Sequence, residues 1–229
     1  MDQSRIAVAS VYAGLPAVRE RFERNRIEYC QRHGYAHVAA CENLEPARHP
    51  VWSKMKLLLR HLPEFDWMLW LDADALIVNR DITLESFVDS SADLIVTADH
   101  NGLNAGVFLL RNSPAAARFL ELAWDRADCI DHPWREQEAM CRVLRDHPEL
   151  IRVKFVERTS LNSYFGLDRP GPETLIVHFP SIPWDRRMVA MEQMLATVES
   201  GEFRAFAERK SDGRVRGSRH WMRFGCARG

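Results

Sequence analysis

The 229 residues suffice for one large α/β domain or two small ones, and 46% hydrophobic with 28% charged side chains allow a full core under a solvated surface. The net charge of −1 gives no ground for nucleic acid or a membrane as the main partner. Five scattered cysteines without zinc-like spacing read as reduced thiols of a cytoplasmic protein, and no stretch has the form of a secretory leader or a membrane-spanning helix.

Arg5–Val11 reads as a short buried strand, ended by Ala13-Gly14. Pro16 opens a charged helix to about His33, and Gly34 stops it. A second strand is expected over Tyr35–Ala40, and an amphipathic helix over Val51–Leu62 ends before Pro63. The apolar run Trp67–Val78 follows, with Asp72 and Asp74 inside it. Strands over Leu94–Ala98 and Gly106–Leu110 are joined through His100-Asn101-Gly102. Helices are expected from Pro114 to about Ala127 and over Trp134–Arg145, then strands over Ile151–Val156 and Thr174–Phe179. A long helix from Asp185 to about Arg209 closes a single domain over residues 1–209. Residues 210–229 carry Arg214, Arg216, Arg219 and Arg223 among glycines, and read as a solvated, flexible basic tail rather than a membrane contact. Strands alternating with helices predict a mixed, mostly parallel central sheet flanked by helices.

The aspartates carry the chemistry. In a strand, residues two apart project to one side, so both carboxylates would leave the end of a buried strand together. Two such acids call for a cation between them, and a hard divalent ion on carboxylate oxygens commonly holds phosphates. A surface turn is the commoner setting for Asp-X-Asp, but its flanks would not be this apolar. His178, ending an apolar strand, reads alone as a core histidine; beside two carboxylates it becomes a candidate third ligand and favours Mn²⁺ over Ca²⁺.

Other segments gain meaning next to that pair. Gly102 and Gly106 would let backbone approach a ligand, with Asn104 offering a donor and an acceptor between them. Glu136 and Gln137 stand at a helix start, where a carboxylate can orient sugar hydroxyls and an amide oxygen can lie below a developing positive carbon. Arg186 and Arg187 could meet a diphosphate, and Lys54 is equally a phosphate or sugar contact or a solvated cation.

In order, Asn25-Arg-X-X-Tyr-Cys-X-X-His-Gly-Tyr35, Trp52-X-Lys54, Leu71-Asp-Ala-Asp-Ala75, Gly102-Leu-Asn-Ala-Gly106, Glu136-Gln137 and His178-Phe179 resemble glycosyltransferase family 34. The similarity runs from about Arg5 to Met194. It implies an A-type glycosyltransferase fold and retaining transfer of a hexose or pentose from a nucleotide sugar to a glycan or small-molecule hydroxyl. UDP-sugars come first and GDP-mannose second. Mn²⁺, with Mg²⁺ as second choice, would be held by Asp72, Asp74 and His178. Tyr12, Lys54, Asp72, Asn104, Gly106 and Arg186 form the expected donor-binding set. Gln137 would lie near the reacting carbon, and Glu136 stands where the family carries an aspartate. Two rival readings are a phosphatase of the haloacid dehalogenase type, with Asp72 as nucleophile, and a non-catalytic relative that only binds a nucleotide sugar or glycan.

Overall fold

The computed structural model describes residues 5–203. These fall into two compact units: the chain up to Ala73 together with Leu84–Val156, and Asp74–Thr83 together with the chain from Glu157 onward. The basic tail expected over 210–229 lies outside the described residues.

The first unit is built on a six-stranded sheet. Its strands are β1 (Ile6–Val11), β2 (Ala36–Ala40), β3 (Trp67–Leu71), β5 (Leu94–Asp99), β6 (Gly102–Arg111) and β7 (Val153–Phe155), in the order β2-β1-β3-β6-β5-β7. β1 runs parallel to β2 and β3, and β5 parallel to β7; β6 alone is antiparallel to both of its neighbours. The mixed, mostly parallel sheet read from the alternation of elements is therefore the one observed.

Strand periodicity explains its packing. Ala7 and Ala9 of β1 pair with Met68 and Trp70 of β3, which pair with Leu110 and Phe108 of β6. Leu94 and Val96 of β5 extend the row. All belong to one buried cluster with Met55, Leu57 and Leu58 of helix α2 (Ser53–His61). Phe119 and Leu120 of α3 (Pro114–Trp124) and Met140 and Val143 of α4 (Arg135–Asp146) complete it. The alternate residues Val8, Leu69, Leu109 and Ile95 are buried too. Continuous apolar strands are what a sheet covered on both faces requires. Helix α1 (Pro16–His33) packs on β1 and β2. It ends at Gly34 in the left-handed conformation (φ 74°), whose N–H donates to the Cys30 carbonyl, as expected of a glycine stop.

The second unit holds a small sheet, β4 (Ala75–Ile77), β9 (Ile176–His178) and β8 (Ser163–Tyr164), in the order β4-β9-β8. It also holds α5 (Arg158–Leu161) and α6 (Trp184–Glu199). α6 ends at Glu199, and Gly201 turns the chain at φ 77°; the last part of the helix expected to about Arg209, from residue 204, lies outside the described residues.

One expectation needs correction. Trp67–Val78 is not a single strand: β3 ends at Leu71, Ala73-Asp74 form a turn, and β4 joins a different sheet. The Asp72 N–H still donates to the Gly106 carbonyl at 2.8 Å, after which the β3–β6 ladder stops. The two carboxylates therefore leave a turn between sheets, and strand alternation does not set their directions.

Candidate active site

In the first unit the site is organised around Lys54. It stands on the second position of α2 and is 1% exposed, so its ammonium must be paired. The Lys54 ammonium donates to the Ala105 carbonyl at 2.6 Å and to Glu136 Oε1 at 3.0 Å, and lies 3.2 Å from Asp72 Oδ1. It also sits 5.1 Å above the Trp70 ring, whose indole N–H donates to the same Asp72 oxygen at 2.7 Å. α2, β3, β6 and α4 thus converge on one cation. Burial works against the Lys54 charge, but Asp72 and Glu136 outweigh it and hold its pKa above the ordinary lysine value. Burial, reinforced by Asp72 and opposed by Lys54, pushes the Glu136 carboxyl above the usual carboxylate range.

Glu136 and Gln137 start α4. The Gln137 amide oxygen accepts the Ala105 N–H at 3.1 Å, so Gln137 and Lys54 hold the two sides of the same residue of β6. Asn104 lies in β6 rather than in a loop; its side-chain oxygen accepts the Gly106 N–H at 3.0 Å and its amide donates to Asp99 at 3.3 Å. Both polar backbone groups of Gly106 are thereby used inside the protein. Gly102 has a local reason to be glycine: its φ is 107°, and a Cβ there would meet the Cys141 sulfur at 3.0 Å. Tyr12, just past β1, is 1% exposed, and 5.5 Å separates its ring from the Arg26 guanidinium, which donates to the Asp72 carbonyl at 2.7 Å.

In the second unit, Asp74 and His178 face each other across the end of the small sheet, with Ala75 paired to His178. His178 Nε2 lies 3.4 Å from Asp74 Oδ1, and the other Asp74 oxygen accepts from Arg187 at 2.6 Å. Burial pushes the Asp74 carboxyl upward, but His178 and Arg187 together hold it below the usual carboxylate range. On its far side His178 Nδ1 meets Asn162 Oδ1 at 3.1 Å. An amide oxygen only accepts, so Nδ1 is the donor in this contact, and Nε2 is the nitrogen that faces Asp74. Arg187 is fixed by two hydrogen bonds to the Ile182 carbonyl, at 2.9 and 2.6 Å, and its guanidinium lies 4.4 Å from the Trp184 ring. Arg186, the arginine assigned to the donor from sequence, is exposed.

Sequence reasoning ranked two residues too low and passed over a third. Lys54 read evenly between ligand and surface cation, yet it is 1% exposed and paired with two carboxylates. Of the two arginines it is Arg187 that meets Asp74, a distinction that three-dimensional register alone makes. Asn162, in the short stretch before β8, carried no signal beyond being an amide near an apolar strand.

The sequence profile of the galactosyl transferase GMA12/MNN10 family matches residues 8–91 and 86–180. The chain belongs to that family. It is 32% identical over 198 residues to the Schizosaccharomyces pombe protein named probable alpha-1,2-galactosyltransferase gmh1, a match covering 66% of this chain and 57% of that protein. It is 29% identical over 203 residues to uncharacterized alpha-1,2-galactosyltransferase C1289.13c of the same yeast, covering 68% and 54%. The chain thus spans little more than half the length of these relatives. Among solved structures, a glycosyltransferase involved in glycosylation of the major capsid of PBCV-1 superposes with a TM-score of 0.66 at 20% identity, covering 82% of this chain and 99% of that one. The fold is that of the A-type glycosyltransferases, as expected. Family membership sets the phosphatase reading aside, and the topology agrees: β1, α1, β2 and α2 all precede the aspartates, which such a phosphatase would carry on its opening strand.

Proposed function

We propose that this chain transfers a hexose or pentose from a nucleotide sugar, a UDP-sugar before GDP-mannose, to a glycan or small-molecule hydroxyl, with retention of configuration and with a bound divalent cation. The observation that carries this reading is the arrangement at Asp74: a carboxylate held charged, a histidine nitrogen 3.4 Å away on a ring held from behind by Asn162, and Asp72 two residues earlier in the chain.

The donor set fits a metal. Asp72, Asp74 and His178 offer two carboxylates and one imidazole, a mixture that suits Mn²⁺, with Mg²⁺ the second choice. Asn162 behind His178 is the kind of partner that orients a metal-bound imidazole. An ion bound there would neutralise charge on the departing diphosphate.

The remaining roles fall to the chain itself. Lys54 holds the Asp72 carboxylate and Glu136 in fixed orientation, leaving the second Glu136 oxygen for a sugar hydroxyl. Asn104, Gly106 and Tyr12 belong to the set that holds the donor. Arg187, with Arg186 beside it, offers a guanidinium to the diphosphate. The acceptor hydroxyl attacks from the face the phosphate leaves, and the departing phosphate oxygen takes its proton. Gln137, an amide and a poor nucleophile, steadies the positive carbon from the opposite face through its dipole. The protein acts in the cytoplasm, a reading supported by its thiols; among the described residues no helix is long and apolar enough to cross a membrane.

The test is release of free nucleotide from a panel of UDP-sugars and GDP-mannose, with Mn²⁺ and with chelator. Mn²⁺-dependent release from one donor, lost in Asp74→Asn, is expected. Metal-independent release, or full activity in Asp74→Asn, would overturn the assignment. Donor binding by calorimetry without turnover across many acceptors would favour a binding-only relative.

A further inference from the structure

Trp134 lies two residues before Glu136, with Arg135 between them. Its side chain is 47% exposed, whereas Trp52, Trp67 and Trp70 are buried. A single exposed apolar side chain calls for no explanation. Here two further observations do. Arg135 takes a left-handed conformation (φ 36°), one of two non-glycine residues to do so among the described ones. Such backbone is costly for a side-chain-bearing residue and persists where surrounding contacts impose it, often at ligand clamps. The imposing contacts are present. The Trp134 N–H donates to His132 Nδ1 at 3.2 Å, and the Arg135 N–H to the His132 carbonyl at 2.9 Å. The Trp134 carbonyl in turn accepts from Gln137 at 2.9 Å and from Glu138 at 3.2 Å. The backbone that carries the indole is therefore tied on both sides at the start of α4.

Its faces are open. His132 meets the Trp134 ring at 5.6 Å and 59°, a tilted rather than stacked contact. Among the described residues the other tryptophan that stands exposed, Trp184, already carries the Arg187 guanidinium at 4.4 Å. A half-exposed indole on a tied backbone suits a ligand with a flat patch of C–H bonds and polar groups at its rim. A pyranose ring is such a ligand; an acyclic polyol or a flexible protein hydroxyl is not.

Resting on the glycosyl-transfer reading, we propose that Trp134 is the platform for the acceptor, and that the acceptor is a pyranoside lying with its C–H face on the indole. In that reading Glu136 and Gln137 serve the donor sugar, and Trp134, two positions before Glu136, offers its indole to the acceptor ring.

The experiment uses methyl α- and β-glycosides of galactose, glucose, mannose and xylose. Saturation-transfer NMR reports their binding to wild type, Trp134→Phe and Trp134→Ala, and steady-state transfer reports acceptor and donor KM. Trp134→Gln stands in if the alanine variant melts early. Binding of at least one glycoside is expected, retained in Trp134→Phe and lost in Trp134→Ala. The acceptor KM should rise roughly 3- to 10-fold, while the donor KM stays within about twofold, a range set by the energy of one aromatic contact. Equal binding in Trp134→Ala, no glycoside binding to wild type, or a shift in donor KM instead would overturn the platform. Trp134-dependent glycoside binding without nucleotide release would refute the transfer reading and leave the platform standing. Turnover indifferent to Trp134 would do the reverse.

Discussion

Replacing Lys54 by methionine removes the cation that holds Asp72 and Glu136 together while keeping most of the apolar stem. Lys54 is 1% exposed, so Glu136, 7% exposed, would be left as a buried carboxylate without its counter-ion, and the Ala105 carbonyl without its donor. Removing one member of a buried ion pair costs about 3–5 kcal/mol. The low end applies, because Asp72 keeps the Trp70 indole N–H and its side chain is 31% exposed, open to water. At an m-value of about 2–3 kcal/mol/M, a loss of about 3 kcal/mol lowers the urea midpoint by about 1 M. The pH dependence has a definite sign. Without Lys54, the Glu136 carboxyl is raised further above its unfolded value of about 4.3. A group raised in the folded state gives stability that is present at low pH and lost as pH rises through the folded pKa. The variant should therefore lie nearer to wild type at pH 5 than at pH 8, by on the order of 1 kcal/mol. Lys54→Met/Glu136→Gln, with no charge to strand, should recover part of the loss. Urea unfolding followed by circular dichroism at both pH values measures all of this. Indistinguishable midpoints for wild type and Lys54→Met would refute the claim that Lys54 is a buried, paired cation.

Three further outcomes are expected. Glu136→Asp shortens the side chain by one methylene and draws its carboxylate back from Lys54, now 3.0 Å away; donor preference across the UDP-sugar panel should shift, and an unaltered ranking would mean that Glu136 does not read the sugar. Asn162→Leu removes the acceptor on His178 Nδ1 and should weaken Mn²⁺ binding by about 10- to 100-fold, read by EPR titration. Asp93, 3% exposed, accepts from Arg152 at 2.9 and 3.0 Å, and that contact holds its carboxyl below the ordinary range. Stability from such a depressed group is present above the unfolded value of about 3.9 and lost as pH falls through the folded one, so Asp93→Asn should cost about 1–2 kcal/mol at pH 7, discounted for the exposed arginine, with the gap to wild type closing below about pH 4 in thermal melts.

The larger elements were legible because each carries a local signature. Pro16 and Gly34 bracket α1, Pro114 opens α3, and the apolar strands around Leu69 and Leu109 have the composition of a sheet buried on both faces. The break inside Trp67–Val78 was not legible, since β3 and β4 are equally apolar and only their partners differ: Leu71 pairs with Val107, Ala75 with His178. β8, two residues long, had no periodicity to read. The candidate site was legible as residue types, two aspartates and a histidine, and as the order of the family's segments. What composition did not carry was the pairing: Lys54 sunk between carboxylates, Arg187 rather than Arg186 on Asp74, and Asn162 behind His178. Each depends on contacts between residues 16 to 113 positions apart.

The most direct test of the account is a Mn²⁺ titration followed by EPR, in the presence of UDP, on wild type, Asp74→Asn and His178→Gln. The account predicts a single tight site in wild type, weakened at least about 10-fold in either variant while the thermal melts still show a folded protein. Equal Mn²⁺ affinity in all three proteins would contradict a cation held by Asp72, Asp74 and His178, and with it the proposed chemistry.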